Sequence, residues 1–183
     1  QHGGARDPGE RARRQLLARA HAEDTTEVAQ MRIVMRTGID RHSRPLITVV
    51  GAHYLPRALG EEEFLHHVVK EAEPAIQEPY TLVYLHAGTS PSSAPDVSFL
   101  RTVHEALGKK HIDNLAAFYV VHPGARFKAA AAILRLLEPG VWSKVQWVDT
   151  LAELYVHVPE GQVFVPSHVA SKDARVLEER GRG

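Results

Sequence analysis

LAAFYVVH, residues 115–122, is a short and continuous apolar run that ends on a histidine. Such a run reads as a strand covered on both faces, the usual condition in a parallel sheet packed between helices. Three further stretches read the same way: LITVVG at 46–51, YTLVYLH at 80–86 and KVQWV at 144–148. Amphipathic patterns separate them. Residues 61–73 place Phe64, Leu65, Val68, Val69 and Ala72 on one helical face, and Glu61, Glu62 and Glu63 suit the positive end of that helix's dipole. Residues 95–107 repeat the pattern with Phe99, Leu100, Val103 and Leu107, and Gly108 stands where a helix stops. Thr150 and Glu153 have capping-box spacing ahead of Leu151, Leu154 and Tyr155.

Upstream the period changes to two. Met31, Ile33 and Met35 alternate with Arg32, Val34 and Arg36, which predicts an edge strand with one wet face, followed by turn chemistry at 38–45. Before it, residues 10–22 offer Leu16, Leu17 and Ala20 as a thin helical face, and Asp24 and Glu27 have capping-box spacing for a short helix ending near Gln30. The order predicts an α/β fold: a mainly parallel sheet of about five strands, an antiparallel edge strand and flanking helices. One domain at 10–170 is expected, with a linker at 1–9 and a flexible C-terminal tail at 171–183, since neither end shows an apolar period. The start at Gln1 rather than Met reads as an excised domain.

One segment departs from the pattern. RFKAAAAILRLLE at 126–138 is helical by propensity and is closed by Pro139-Gly140, yet only Arg126, Lys128, Arg135 and Glu138 are polar. Apolar residues cover most of its circumference. Two readings fit such a helix: an internal layer buried on both sides, or a lid with an apolar ligand or surface against one of them.

The bulk numbers narrow the function classes. Lys+Arg and Asp+Glu are both 22, so no global field draws the chain to nucleic acid or anionic lipid, and 7% aromatic content without basic interleaving argues against single-stranded nucleic acid. There is no cysteine, so disulfide and thiolate chemistry are excluded. No apolar run approaches the roughly 20 residues of a membrane-spanning helix. The 12 histidines show no ligand-pair spacing, so no metal and no cofactor is expected; His66 and His67 are read on the polar side of their helix. His86 and His122 end predicted strands, the edge where parallel sheets place ligands. Asp149 and Ser167-His168 suggest a triad only on paper, because no nucleophile elbow is present, and the 88–93 loop lacks the spacing and lysine of a phosphate-binding loop. A non-catalytic protein is expected. Lys109, Lys110, Arg126, Lys128 and Arg135 are candidates for a head-group or partner surface beside the apolar helix.

Three ordered stretches carry a family resemblance: Gly38-Ile39-Asp40 with Arg44-Pro45, Val49-Val50-Gly51-Ala52-His53 and Leu55-Pro56; then 80–86; then Lys109-Lys110-His111-Ile112-Asp113-Asn114-Leu115 running to Tyr119-Val120-Val121-His122-Pro123. Weaker echoes follow at 144–148 and Val165-Pro166. Together, over roughly 11–173, they resemble the CRAL-TRIO lipid-binding family, in the divergent branch of ganglioside-induced differentiation-associated proteins and Rho GTPase-activating proteins. Pro95-Asp96 before Phe99-Leu100, with Arg126 and Lys128 after the His-Pro pair, is most similar to the first group. The resemblance implies a lid-like helix gating a lipid cavity floored by the sheet, and a macro domain ahead of this module. Gly124 and Ala125 depart from it, standing where relatives often have a hydroxyl residue and an aromatic.

With that lid in place, strand position and helix face nominate Tyr84, His86, Tyr119, Phe127, Ala130, Ala131, Ile133, Leu134 and Leu137 as lipid-binding residues. The expected partner is a lipid or other apolar small molecule, met in the cytoplasm or at a membrane periphery. The alternative is a protein-interaction scaffold, with a small GTPase as the partner the resemblance suggests.

Overall fold

The computed structural model describes residues 8–94 and 97–183. Most of the expected N-terminal linker, and the Pro95-Asp96 pair, lie outside them. Helix α1 (Pro8–Ala22) lays Leu16, Leu17 and buried Ala20 against the core, and α2 (Thr26–Gln30) follows. Asp24 takes a local turn in place of the box its spacing with Glu27 predicts: its carboxylate accepts from both the backbone N–H and the hydroxyl of Thr26.

Strand β1 (Val34–Ile39) begins three residues later than the alternation at Met31 predicts. Met31 and Arg32 are consumed in closing α2, their N–H groups donating to the carbonyls of Val28 and Ala29, and Arg32 adopts a left-handed φ of 52°. The chain then reverses into β2 (Pro45–Val50), antiparallel to β1. Asp40 organises that reversal. Its carboxylate, 1% exposed, accepts from the backbone N–H groups of His42 (2.8 Å) and Arg44 (3.0 Å), the Arg44 guanidinium (2.7 Å) and the Thr81 hydroxyl (2.7 Å). Burial alone would raise this carboxyl's pKa; the bonds from Thr81, Arg44 and His42 outweigh it and hold the group below the usual aspartate value.

A 3-10 turn at Gly51–His53 leads to α3 (Glu61–Ala72), then β3 (Tyr80–Leu85), α4 (Val97–Leu107), α5 (Lys109–Asn114), β4 (Leu115–Val121), α6 (Ala125–Leu137), α7 (Pro139–Trp142), β5 (Val145–Val148), α8 (Leu151–Tyr155) and α9 (Ser167–Gly181). Gly108 separates α4 from α5 with φ +70°, a conformation glycine adopts without a Cβ clash. The sheet runs β1-β2-β3-β4-β5, with every pair after the first parallel. The α/β fold with an antiparallel edge strand is therefore the observed architecture.

A strictly sequential parallel order, with crossovers of one hand, sends every crossover over the same face. One core cluster accordingly joins Phe64 of α3, Phe99 of α4, Ile112 of α5, Phe127 of α6 and Trp142 of α7 to Ile47, Tyr80, Phe118 and Val120 of the sheet. The opposite face, with Val83, Leu85, Tyr119 and Val121, is covered by the C-terminal elements through Leu151, Leu154, Val158, Val163 and Val169.

Two expectations are corrected here. The C-terminal stretch read as a flexible tail from Ser171 is helical to Gly181, because α9 is fixed by position-specific contacts instead of a broad apolar stripe: Val169 is buried, and the Asp173 carboxylate accepts from the Leu151 N–H (2.8 Å) and the His122 ring (2.9 Å). His66 and His67 are buried, not on a wet helix face. His66 meets the Glu23 carboxylate, and His67 Nε2 bonds the Val34 carbonyl at 3.0 Å.

The outer edge of β1 is also occupied. The Arg36 N–H donates to Glu71 (3.0 Å) and the Ile39 N–H to the Gln162 side chain (3.0 Å), with a register shift between Arg36 and Gly38. Gly38 is needed there, since a Cβ would sit 2.9 Å from the Gln162 carbonyl oxygen.

Candidate functional site

Helix α6 leaves β4 through His122-Pro123-Gly124, and its first turn is pinned by one aromatic. The Phe127 ring lies 5.3 Å from Tyr84, stacked, 4.6 Å from His86, and within 6.2–6.4 Å of Trp147 and Trp142. Ala131 is buried and Leu134 half-buried along the same side. The rest of the helix faces outward: Ile133, Leu136 and Leu137 are 63%, 83% and 56% exposed, and Ala129, Ala130 and Ala132 are exposed with them. Neither simple form of the sequence reading describes this. The helix is not an internal layer, and Ala130, Ile133 and Leu137, nominated as ligand contacts, are exposed while Phe127 and Ala131 face inward.

Tyr119 is placed elsewhere altogether. Side chains alternate along β4, so Phe118 and Val120 share the face of Tyr84 and Phe127, while Tyr119 packs on the opposite face, stacked 4.8 Å from His157. It cannot line the space beneath α6. Tyr84 and His86 do stand on the α6 face, their rings 5.8 Å apart, and burial, opposed by a Thr89 hydrogen bond, raises the Tyr84 pKa.

At the carboxyl edge of the sheet, strand ends and α9 border an open pocket of about 390 Å³. Its floor is His122. Continued alternation would put this residue on the α6 side, but a left-handed φ of 52° turns the ring to Asp173 of α9, where Nε2 donates to the carboxylate at 2.9 Å. Positive φ is uncommon for a residue with a side chain and costs on the order of 1–3 kcal/mol. His86 enters from β3. From α9 come His168, Lys172 and Arg175, which at i, i+4 and i+7 share one helical face. Burial holds the His86 and His168 rings below the ordinary histidine pKa; for His168 nearby His53 lowers it further, against the Ala87 carbonyl, which favours the charged form.

Residues 43–175 match the divergent CRAL/TRIO domain family. The chain belongs to that family. Among relatives of the CRAL/TRIO chain, the Protein GDAP2 homolog of Drosophila melanogaster is 31% identical over 159 residues, covering 86% of this chain and 29% of its own length. Ganglioside-induced differentiation-associated protein 2 of Xenopus tropicalis is 30% identical over 160 residues (87% and 32%), and Rho GTPase-activating protein gacY of Dictyostelium discoideum 25% over 156 residues (85% and 22%). The chain thus spans no more than about a third of each of these relatives. Both groups named by the sequence resemblance are present.

The nominated basic residues of this CRAL/TRIO domain do not form one patch. Arg126 and Lys128 sit at the start of α6, with the Lys128 ammonium 5.7 Å over the Trp147 ring. Lys109 and Lys110 lie before β4, at the other end of the sheet, Lys109 paired with Asp113 (3.8 Å) and Lys110 with Gln77 (2.6 Å). Arg135 is exposed near the end of α6. Lys172 and Arg175 were missed by the sequence reading, and His168 entered it only as part of a discarded triad. Their i, i+4, i+7 spacing was visible, but it fell in and beside a stretch read as a tail. No helix among the described residues is long and apolar enough to cross a membrane.

Proposed function

We propose that the chain is a non-catalytic lipid-binding module acting at or near a cytoplasmic membrane surface, with α6 receiving the apolar part of the ligand. The observation that carries this reading is the stripe Ile133, Leu136 and Leu137, spaced i, i+3 and i+4 on a helix whose other side is held to the sheet by Phe127. Membership of the CRAL/TRIO family supports it. Covering three half- to four-fifths-exposed aliphatic side chains is worth roughly 3–5 kcal/mol in all, a millimolar attachment by itself. The helix would serve as one half of a two-part contact, with basic groups such as Arg126 and Lys128 available at its start.

The test is native mass spectrometry of protein purified from cells, with flotation on phosphatidylcholine vesicles. A co-purified lipid mass, and flotation lost in Leu136→Asp, are expected. An apo mass under gentle conditions together with no flotation would sink the proposal.

A second reading is a protein-docking surface. The same exposed stripe suits it, and similarity to a Rho GTPase-activating protein makes a Rho-type GTPase or its regulators the natural candidates. Loss of GTPase binding in Leu136→Asp, with lipid retention unchanged, would favour it.

A further inference from the structure

The pocket at the carboxyl edge contains more polar capacity than the fold uses. Three of its ring nitrogens, His86 Nδ1, His122 Nδ1 and His168 Nε2, are buried without a hydrogen-bond partner among the described residues. Such groups cost on the order of 1–3 kcal/mol each when left unpaired, so three in one pocket call for an explanation. The His122 side chain is fully buried, and its other nitrogen is committed to Asp173. That bond fixes the tautomer: Nε2 carries a hydrogen, and Nδ1 is a lone pair in the neutral ring and an N–H donor in the charged one.

The remaining lining sets the sign of the ligand. Lys172 and Arg175 reach the pocket from α9, Arg175 from an exposed position. Gly124, the residue before the first turn of α6, also lines it, and no side chain caps that turn. Helix starts of this kind offer free N–H groups and a partial positive charge. Among the described residues no carboxylate lines the pocket; Asp173 lies behind His122 and is occupied by two donors. Nor does any group of three or more His, Asp or Glu among the described residues have the closeness to hold a metal ion. A volume of about 390 Å³ falls in the range of ligand sites, roughly 300–1,000 Å³.

We infer that this pocket binds a phosphate-bearing ligand, its anionic oxygens held by His86, His122 and His168 on the floor and by Lys172 and Arg175 at the mouth. A phosphate would give each histidine nitrogen a partner and neutralise two cations that have no acidic neighbour in the lining. A lipid head group and a soluble phosphomonoester both present this chemistry, and the test separates the two sources. The inference does not require α6 to touch lipid.

The experiment titrates the intact chain with inorganic phosphate while following histidine ring resonances by NMR. His86, His122 and His168 should move along one saturable curve. Lys172→Gln with Arg175→Gln, two side chains that make no ion pair or hydrogen bond among the described residues, should weaken that binding about a hundredfold, roughly tenfold per charge. Leu136→Asp should leave it unchanged, so failure of the lipid-binding proposal and failure of this one are distinguishable. Vesicles of phosphatidylcholine with phosphatidic acid, competing with inorganic phosphate and dependent on Lys172 and Arg175, would place the phosphate on a lipid. Phosphate binding indifferent to those vesicles would place it on a soluble ligand. Absence of saturable shifts at the three rings, or shifts unaltered in the double variant, overturns the inference.

Discussion

Replacing Phe127 with alanine should release α6 while leaving the sheet intact. The ring makes two close aromatic contacts, with His86 at 4.6 Å and Tyr84 at 5.3 Å, each worth about 0.5–1.5 kcal/mol beyond area burial. The half-buried ring adds about 1 kcal/mol of transfer free energy, for a total near 3 kcal/mol. Among the described residues, little else on α6 resists opening: buried Ala131, half-buried Leu134 and the Lys128 ammonium over the Trp147 ring. Amide hydrogen exchange should therefore show α6 already opening more readily than β4 in the unsubstituted chain. In Phe127→Ala the α6 amides should exchange about 100-fold faster, or reach the unprotected rate, since each 1.4 kcal/mol is tenfold. The denaturation midpoint should fall only until the α6-open state becomes the folded ground state, leaving β4 protection largely in place. If α6 and β4 amides exchange equally slowly in the unsubstituted chain and accelerate together in the variant, the helix is an integral layer and the reasoning fails.

Asp40→Asn should cost about 2–4 kcal/mol, because an amide must present N–H groups to donors that a carboxylate accepts. The Asp40 pKa is depressed in the folded state, so its stabilisation is complete above the ordinary aspartate value and is lost as pH falls through the lower folded one; stability curves of the two proteins should converge on acidification, and parallel curves would contradict this. Gly88→Ala should destabilise by roughly 1–2 kcal/mol, since Gly88 has φ +76° and a Cβ would lie 3.2 Å from His168 Cδ2 and 3.3 Å from Ala52; the His168 ring resonances should shift in the same variant. Ala131→Trp should lower thermal stability by about 1–3 kcal/mol through overpacking, whereas Ala130→Trp should stay within about 0.5 kcal/mol; equal effects would mean the rotation of α6 is misassigned.

The strands were legible because a sheet covered on both faces writes uninterrupted apolar runs, and 46–51, 80–86 and 115–122 do so. The orientation of a residue within such a run is not written there. Tyr119 could be assigned to a face only once Phe118 or Val120 had been assigned to the other. His66 and His67 misled because their burial depends on Glu23 and the Val34 carbonyl, groups distant in sequence. Helix α9 was missed for the same reason, being ordered by single contacts through Asp173 and Val169. Of the pocket, the strand-end histidines were visible. The face His168, Lys172 and Arg175 acquires meaning only when α9 is folded against the sheet, and the turn of His122 away from strand alternation leaves no trace in composition.

The occupied margin of β1 has a further consequence for a chain that corresponds to a minor part of its longer relatives. An open strand border is a template on which another polypeptide can polymerise, and the danger grows when several modules are tethered at high local concentration. Here Glu71 and Gln162 already satisfy two of the amides such an intruder would need, and the register shift at Gly38 spoils the repeat between them. Pairing of a second polypeptide along that flank is thereby hindered without recourse to an extra covering strand.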